Sequence, residues 1–390
     1  MEISPGQLCF PNSTLRLCAS AVRKFFGFPV CFLLLCQVAQ AAQPASPASD
    51  PTAAKPRTRA EVEALISKAG TTPPDWWAST PLNYPPTLDL TWQKPPPKTP
   101  WTPSKYLGQY IWGVINENPG KWKEGARLLH HTLEVNKNDR NKLIESMYSL
   151  GTVYRNLLQD YARAAFWWRK AGAADWDWSE PIGLADCYWK LGCKEMAQEA
   201  LTKYGSDDTY YCRVVKLWAD MGEVDTALKV AEEKAREDKD TAFMAWLMSG
   251  EACRMAGRYK EALAFYGKVA VLPGDKGGLK QCRERARAST EAIKVYDLLD
   301  LKRIPDGTYT SNSIGYAGQM FVAVTVKGGR IEAVKVTRHQ EKQPYASLTE
   351  TPRRIIEKQS VKGIDTFSSA TVTSEAIINA TAKALSSGMK

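Results

Sequence analysis

Ten residues, Asp365 to Ser374, carry six hydroxyl side chains and run straight into a helical pattern. Serine and threonine crowd such a turn either to cap the following helix and satisfy turn backbone or to present an alcohol for chemistry. From Ser374 to Leu385 the apolar residues Ile377, Ile378, Ala380, Ala384 and Leu385 have helical spacing, which stops at Ser386-Ser387-Gly388. Glu375 falls early enough in that helix to favour its positive end. The pattern places Thr371 just before the helix N-terminus, where free N–H groups and the dipole favour an anion by up to about 2 kcal/mol. Ser369 and Ala370 are small neighbours that leave this alcohol approachable.

Other candidates for chemistry are few. His130 and His131 are adjacent and cannot both face one metal from a helix, and His339 is the only other histidine. No Cys-x-x-Cys spacing exists for zinc or haem. No Gly-x-Gly-x-x-Gly loop exists for a nicotinamide dinucleotide. The net charge of +10 favours acidic partners and is not read as nucleic-acid binding.

The elements that must position the hydroxyl-rich turn lie in residues 302–390, bounded by Arg303-Ile304-Pro305-Asp306-Gly307. Met320, Val322, Val324 and Val326 alternate on one face of a strand from Gly318 to Lys327. Gly328-Gly329 makes a two-residue turn, and Arg330 to Thr337 is the return strand. A helix near Thr351 to Gln359 precedes the turn, so the order is that of a small α+β domain. Lys and Arg total 13 here against 7 Asp and Glu, which favours a phosphate or an acidic partner. Gly315 and Gly318 permit close backbone approach to a ligand, Tyr316 or Tyr345 could wall an aromatic ring, and His339 and Glu341 could supply polar contacts. An ordinary surface loop explains the last two equally well.

These residues carry a resemblance. Asp365, two intervening residues, Ser368-Ser369-Ala370 and Thr371 are similar to the Asp-x-x-Ser/Thr-Gly/Ser-Ala-Thr/Ser pattern of the FMN-binding domain family, known from the C subunit of sodium-pumping NADH:quinone reductases and the G subunit of Rnf complexes. Asp306-Gly307-Thr308-Tyr309 resembles the family's opening Asp-Gly-x-Tyr motif, and Gly315-Tyr316-Ala317-Gly318 its Gly-Tyr-x-Gly turn. Gly329-Arg330-Ile331 matches its Gly-Lys-Ile step, and His339-Gln340-Glu341 the loop that follows. The resemblance implies FMN as cofactor, with Thr371 the acceptor of a phosphoester bond. It also implies that a separate FAD-dependent flavin transferase recognises the pattern from Asp365 through Ser368, Ser369 and Ala370, with Thr373 and Ser374 beside it.

Upstream, residues 105–301 are helical throughout and recur. Gly120, Trp122, Gly125 and Leu129 return as Gly192, Lys194, Ala197 and Leu201, as Gly222, Val224, Ala227 and Ala231, and as Gly257, Tyr259, Ala262 and Tyr266. The unit around Trp246, Gly250, Gly257, Ala262 and Tyr266 resembles the tetratricopeptide repeat, and a unit from Leu150 to Ala171 fits with one residue inserted in its turn. About five helix pairs result. Small residues facing large ones let paired helices approach, so the tryptophans read as core, and stacked units leave a concave surface suited to a protein partner. Cys187, Cys193, Cys212, Cys253 and Cys282 read mainly as core residues.

Residues 42–104 form a linker: 14 of the 23 prolines fall between Gln43 and Ser104, with one short helix predicted from Thr58 to Ala69 behind the capping box Thr58-Arg59-Ala60-Glu61. Its tryptophans suggest a segment pinned across the following domain. Residues 1–41 read as an export signal, with Arg23 and Lys24 before the apolar run Phe25 to Cys36 and Ala39-Gln40-Ala41 before a cut at Ala42. A retained membrane anchor is the alternative.

The expectation is a multidomain chain, an all-α tetratricopeptide-like array followed by a small α+β FMN-binding domain. It would be periplasmic or otherwise extracytoplasmic, and would pass electrons between a membrane or periplasmic redox partner and an acceptor. Two other readings stay open: a scaffold whose last domain holds FMN noncovalently or has lost it, and an enzyme that uses FMN on a small substrate.

Overall fold

The structure, a computed structural model, describes residues 55–175, 180–202, 210–275, 278–342, 346–367 and 370–389. The export signal, Ser368, Ser369 and Tyr345 lie outside the described residues. No helix among those described is long and apolar enough to cross a membrane.

The first described helix is α1 (Arg59–Thr71), whose capping box is formed: Thr58 N donates to Glu61 Oε2 at 2.7 Å and Glu61 N to Thr58 Oγ1 at 3.3 Å. The helix packs on α5 (Tyr161–Ala171), where Gly70 faces the Phe166 ring so closely that a Cβ would overlap it. Beyond α1 the proline-rich chain is tied to the array by polar contacts. Arg127 donates to the carbonyls of Trp77 and Thr80 (2.6 and 2.7 Å), Asn136 to that of Leu90 (2.9 Å), and Trp92 Nε1 to Ser146 Oγ (2.8 Å).

The array follows as α2 (Leu107–Tyr110), continued by a π turn Ile111–Ile115, α3 (Trp122–Val135), α4 (Arg140–Asn156), α5, α6 (Glu180–Lys190), α7 (Lys194–Leu201), α8 (Tyr211–Asp220), α9 (Val224–Glu237), α10 (Ala242–Met255), α11 (Tyr259–Ala270) and α12 (Leu279–Tyr296). Neighbouring helices pack on each other from α3 to α7 and from α8 to α12, and α6 also meets α8, consistent with tetratricopeptide-like repeats. The small-against-large rule is visible at single contacts. A Cβ on Gly151 would overlap the Trp168 ring, one on Gly250 the Tyr266 ring, and one on Gly125 the Ile115 side chain. The turns inside three pairs place Gly192, Gly222 and Gly257 at positive φ, and the pair with the inserted residue places Gln159 there, at φ 55°. His130 is half-buried among Trp77, Trp167 and Tyr154, and the five described cysteines are free thiols.

The C-terminal domain is a three-stranded antiparallel sheet in the order β1 (Gly307–Ile314), β2 (Gln319–Lys327), β3 (Arg330–Arg338), with α13 (Ser347–Lys358) and α14 (Thr371–Gly388) against it. Gly328 and Gly329 take φ 55° and 70°, the primed turn that matches strand twist, and Asp306 Oδ1 accepts from Gly328 N at 2.7 Å to hold it. β1 stands outside the sequence expectation, since Gly-Thr-Tyr-Thr-Ser-Asn-Ser-Ile has no apolar alternation. α14 is buried nearly all round, with the sheet on one side, α13 on another and α12 of the array on a third. One apolar core therefore runs from Phe243, Leu247 and Tyr266 of the array through Ile293 to Val322, Ile377 and Leu385 of the C-terminal domain.

Candidate functional site

The hydroxyl-rich turn is closed by its own side chains. Phe367 O accepts from Ala370 N (2.8 Å) and from Thr371 Oγ1 (3.0 Å). Ser374 Oγ accepts from Phe367 N (3.3 Å) and Thr351 Oγ1 (3.3 Å) and donates to Ala370 O (3.1 Å). Thr371 is the first residue of α14 rather than the residue before it, because Ala370 occupies the cap position without a side-chain cap bond. Its hydroxyl is half-buried, beside the small and buried Ala370. The N–H groups of a helix's first turn have no intrahelical acceptor, so an anion on this hydroxyl would be met by donors.

Asp365, at the other end of the turn, is 5% exposed and lies among three cations. Lys190 Nζ of α6 donates to its Oδ2 (2.8 Å), Lys216 Nζ of α8 to its Oδ1 (3.2 Å), and the Arg354 guanidinium is 3.5 Å from Oδ2. Burial alone would raise its pKa, but these three charges override it and hold the carboxyl far below the usual carboxylate range. Lys216 is shared with Asp220 (2.5 Å), whose pKa burial and the neighbouring Asp365 push up to about 7. Arg354 also donates to Asp365 O (3.3 Å) and stacks over Phe367, 4.4 Å from the ring centre.

Glu375 does not serve the helix end as expected. It lies beyond the first turn and takes a two-oxygen ion pair from Arg285 of α12 (Nε to Oε2 3.1 Å, Nη2 to Oε1 3.0 Å and to Oε2 2.7 Å). Burial pushes its pKa up to about 7 against the pull of that guanidinium. Asn379, one turn on, donates to Ser289 of α12 (3.2 Å), which donates in turn to Glu251 Oε1 (3.2 Å).

A second turn, Gly315 to Gly318 between β1 and β2, is joined to the first by Glu341. Its Oε1 accepts from Tyr316 N (2.8 Å) and Ala317 N (3.2 Å), and its Oε2 from Thr373 Oγ1 (3.1 Å). Glu341 therefore braces the site from below. A Cβ on Gly315 would collide with this carboxylate, so that glycine serves the brace, and one on Gly318 would meet Gln340 Oε1 (2.6 Å). The Tyr316 side chain is 55% exposed at the tip, free to lie against a flat ring. His339 is exposed on the loop after β3. Contacts thus join Gly315, Tyr316, Gly318, Glu341 and Thr373 in one network beside the turn of Ala370, Thr371 and Ser374, while the Asp365 side chain is turned to Lys190, Lys216 and Arg354.

Residues 315–386 match the family profile of the FMN-binding domain. This part of the chain is an FMN-binding domain. The matched span opens on Gly315 of the braced turn and closes two residues short of the end of α14, so both turns lie inside it. FMN is the cofactor the domain takes, and the residues suit it: a half-buried alcohol at a helix start, a small neighbour, and an exposed aromatic side chain on a turn tied to that helix. Over 82 residues, 20% of this chain, the sequence is 43% identical to an uncharacterized protein of Treponema pallidum (strain Nichols). The chain spans about a fifth of that relative, 22% of its length.

Lys190, Lys216, Gln281 and Arg285 carry no signal in the sequence that ties them to these turns. Gln281 of α12 donates to Tyr316 O at 2.8 Å. Each sits on an array helix as an ordinary charged or polar residue.

Proposed function

We propose that the protein is an exported electron-transfer flavoprotein that carries FMN on Thr371 through a phosphoester bond. The observation that supports this reading is the Thr371 hydroxyl itself: half-buried on the first residue of α14, inside the FMN-binding span. Attachment would break the Thr371 Oγ–H bond and the pyrophosphate P–O bond of FAD and form an Oγ–P bond to its FMN phosphate, with AMP as leaving group and one proton released. A flavin transferase performs it outside the cytoplasm. Once bound, FMN accepts and returns electrons one or two at a time. The chain's own residues hold it: Thr371 tethers, the α14 start stabilises the phosphate, Glu341 fixes the Tyr316 turn, and Tyr316 covers the ring. Tethering retains the cofactor in a compartment without a flavin pool and keeps its effective concentration high. Redox partners are a membrane reductase and a periplasmic acceptor, and the array docks a protein partner on the surface its own C-terminal domain leaves uncovered.

The test is intact mass and in-gel flavin fluorescence on protein exported from cells that contain the transferase, comparing wild type with Thr371→Ala. A mass gain of one FMN less water, fluorescent after denaturation and absent from the variant, is expected. A wild type of unmodified mass would move a noncovalent or scaffold role to first place.

A further inference from the structure

The turn that bears Thr371 is held at both ends by the helical array. Asp365, six residues before Thr371, is gripped by Lys190 (2.8 Å) and Lys216 (3.2 Å) from α6 and α8. Glu375, four residues after it, is gripped by Arg285 from α12 (2.7 Å at the closest). The second turn is tied to the same helix by Gln281, which donates to Tyr316 O at 2.8 Å. The side chains of the two lysines and of Arg285 are 7%, 11% and 12% exposed, and their carboxylate partners 7% and 4%. Charges so far from water persist only where their geometry is satisfied, so these pairs fix position tightly. Phe367, between them, packs against the array's own apolar cluster.

We infer that Lys190, Lys216, Gln281 and Arg285 are positioning residues of the flavin site, so that the array, and not the FMN-binding domain alone, sets where the Thr371 hydroxyl stands. The inference rests on the reading of Thr371 as the acceptor. It gives the array a task within its own chain. Lys190 and Lys216 fix the start of the turn, Arg285 fixes α14 one turn past Thr371, and Gln281 fixes the aromatic turn opposite. A misplacement of about 1 Å at a reacting atom costs on the order of 100-fold in rate, which makes such remote anchors consequential.

The experiment uses the full-length chain without flavin and then with FAD and transferase. Hydrogen exchange of the 364–375 segment is compared among wild type, Lys190→Met with Lys216→Met, Arg285→Glu, Arg285→Glu with Glu375→Arg, and the milder Gln281→Ala. The loosened variants are expected to exchange about tenfold faster in that segment, with α3 to α5 unchanged. At saturating transferase, FMN incorporation per folded molecule is expected to fall about tenfold or more, with the swapped pair recovering most of both losses. Unchanged exchange would overturn the inference, and so would normal incorporation in a variant whose segment exchanges faster. If α3 to α5 also lose protection in the charge variants, Gln281→Ala decides by the same two readouts. If wild type takes up no FMN, the acceptor reading fails, while exchange still decides whether the array holds the turn.

Discussion

The array and the C-terminal domain use the same two kinds of close packing in different proportion. In the array ring against glycine recurs from pair to pair, as at Gly151 and Trp168 or Gly250 and Tyr266, and a buried ion pair such as Arg254 with Glu251 stays within one helix. In the C-terminal domain one such ring contact, Tyr309 at Gly388, stands beside turns held by carboxylates on backbone N–H or cation, as at Glu341 and at Asp365. The first kind is apolar, local and repeated, and a helix pair needs little beyond its neighbours to complete it. The second kind reaches across the molecule, because a buried carboxylate must find its donors wherever the chain supplies them. Apolar fit builds the support, and buried charge sets the address of a particular atom.

The largest effect that would break this contrast is at Asp365. Asp365→Asn leaves Lys190 buried without its anion and Lys216 with Asp220 alone, and a loss of about 3–5 kcal/mol is expected from denaturant unfolding. A loss below about 1 kcal/mol, the range of exposed pairs, would show the carboxylate to be incidental.

His130 sharpens the contrast from the array side, since it is a titratable group half-buried there among aromatic rings. Burial, with Arg163 and Arg127 adding to it, lowers its pKa from 6.5 to about 4. The unfolded chain therefore binds the proton first, and stability falls as pH drops from about 6.5 towards 4. About 3 kcal/mol is expected from this group across that window. His130→Phe should flatten that part of the pH–stability curve, and a parallel curve in the variant would remove the assignment.

The smallest effect is at the capping box. Thr58→Ala should cost about 1 kcal/mol, read as a shift in the denaturation midpoint without change in slope. No shift at all would mean that α1 is held only by its contacts with α5.

The overall architecture was legible because its signals are local. Glycine and aromatic spacing announced the array, alternation of Met320, Val322, Val324 and Val326 announced β2, and Gly328-Gly329 announced the hairpin. β1 was hidden because its small and hydroxyl-bearing residues do not alternate with apolar ones, and α14 starts three residues before Ser374 because the hydroxyls there carry no apolar period. Thr371 and Asp365 were legible from the motif they share. Their setting was not, because Lys190 and Lys216 stand 175 and 149 positions from Asp365 and Arg285 stands 90 from Glu375. No short-range pattern reports such distances.

The apolar core that α12 shares with α14 also bears on how electrons would travel. Many carriers ride on a flexible arm that sweeps between donor and acceptor. Here the last array helix and the flavin-bearing helix are packed on each other along one continuous core, so a flavin on Thr371 would keep a fixed bearing relative to the array. Donor and acceptor would have to come to it, and the array's outline would govern the angle of their approach.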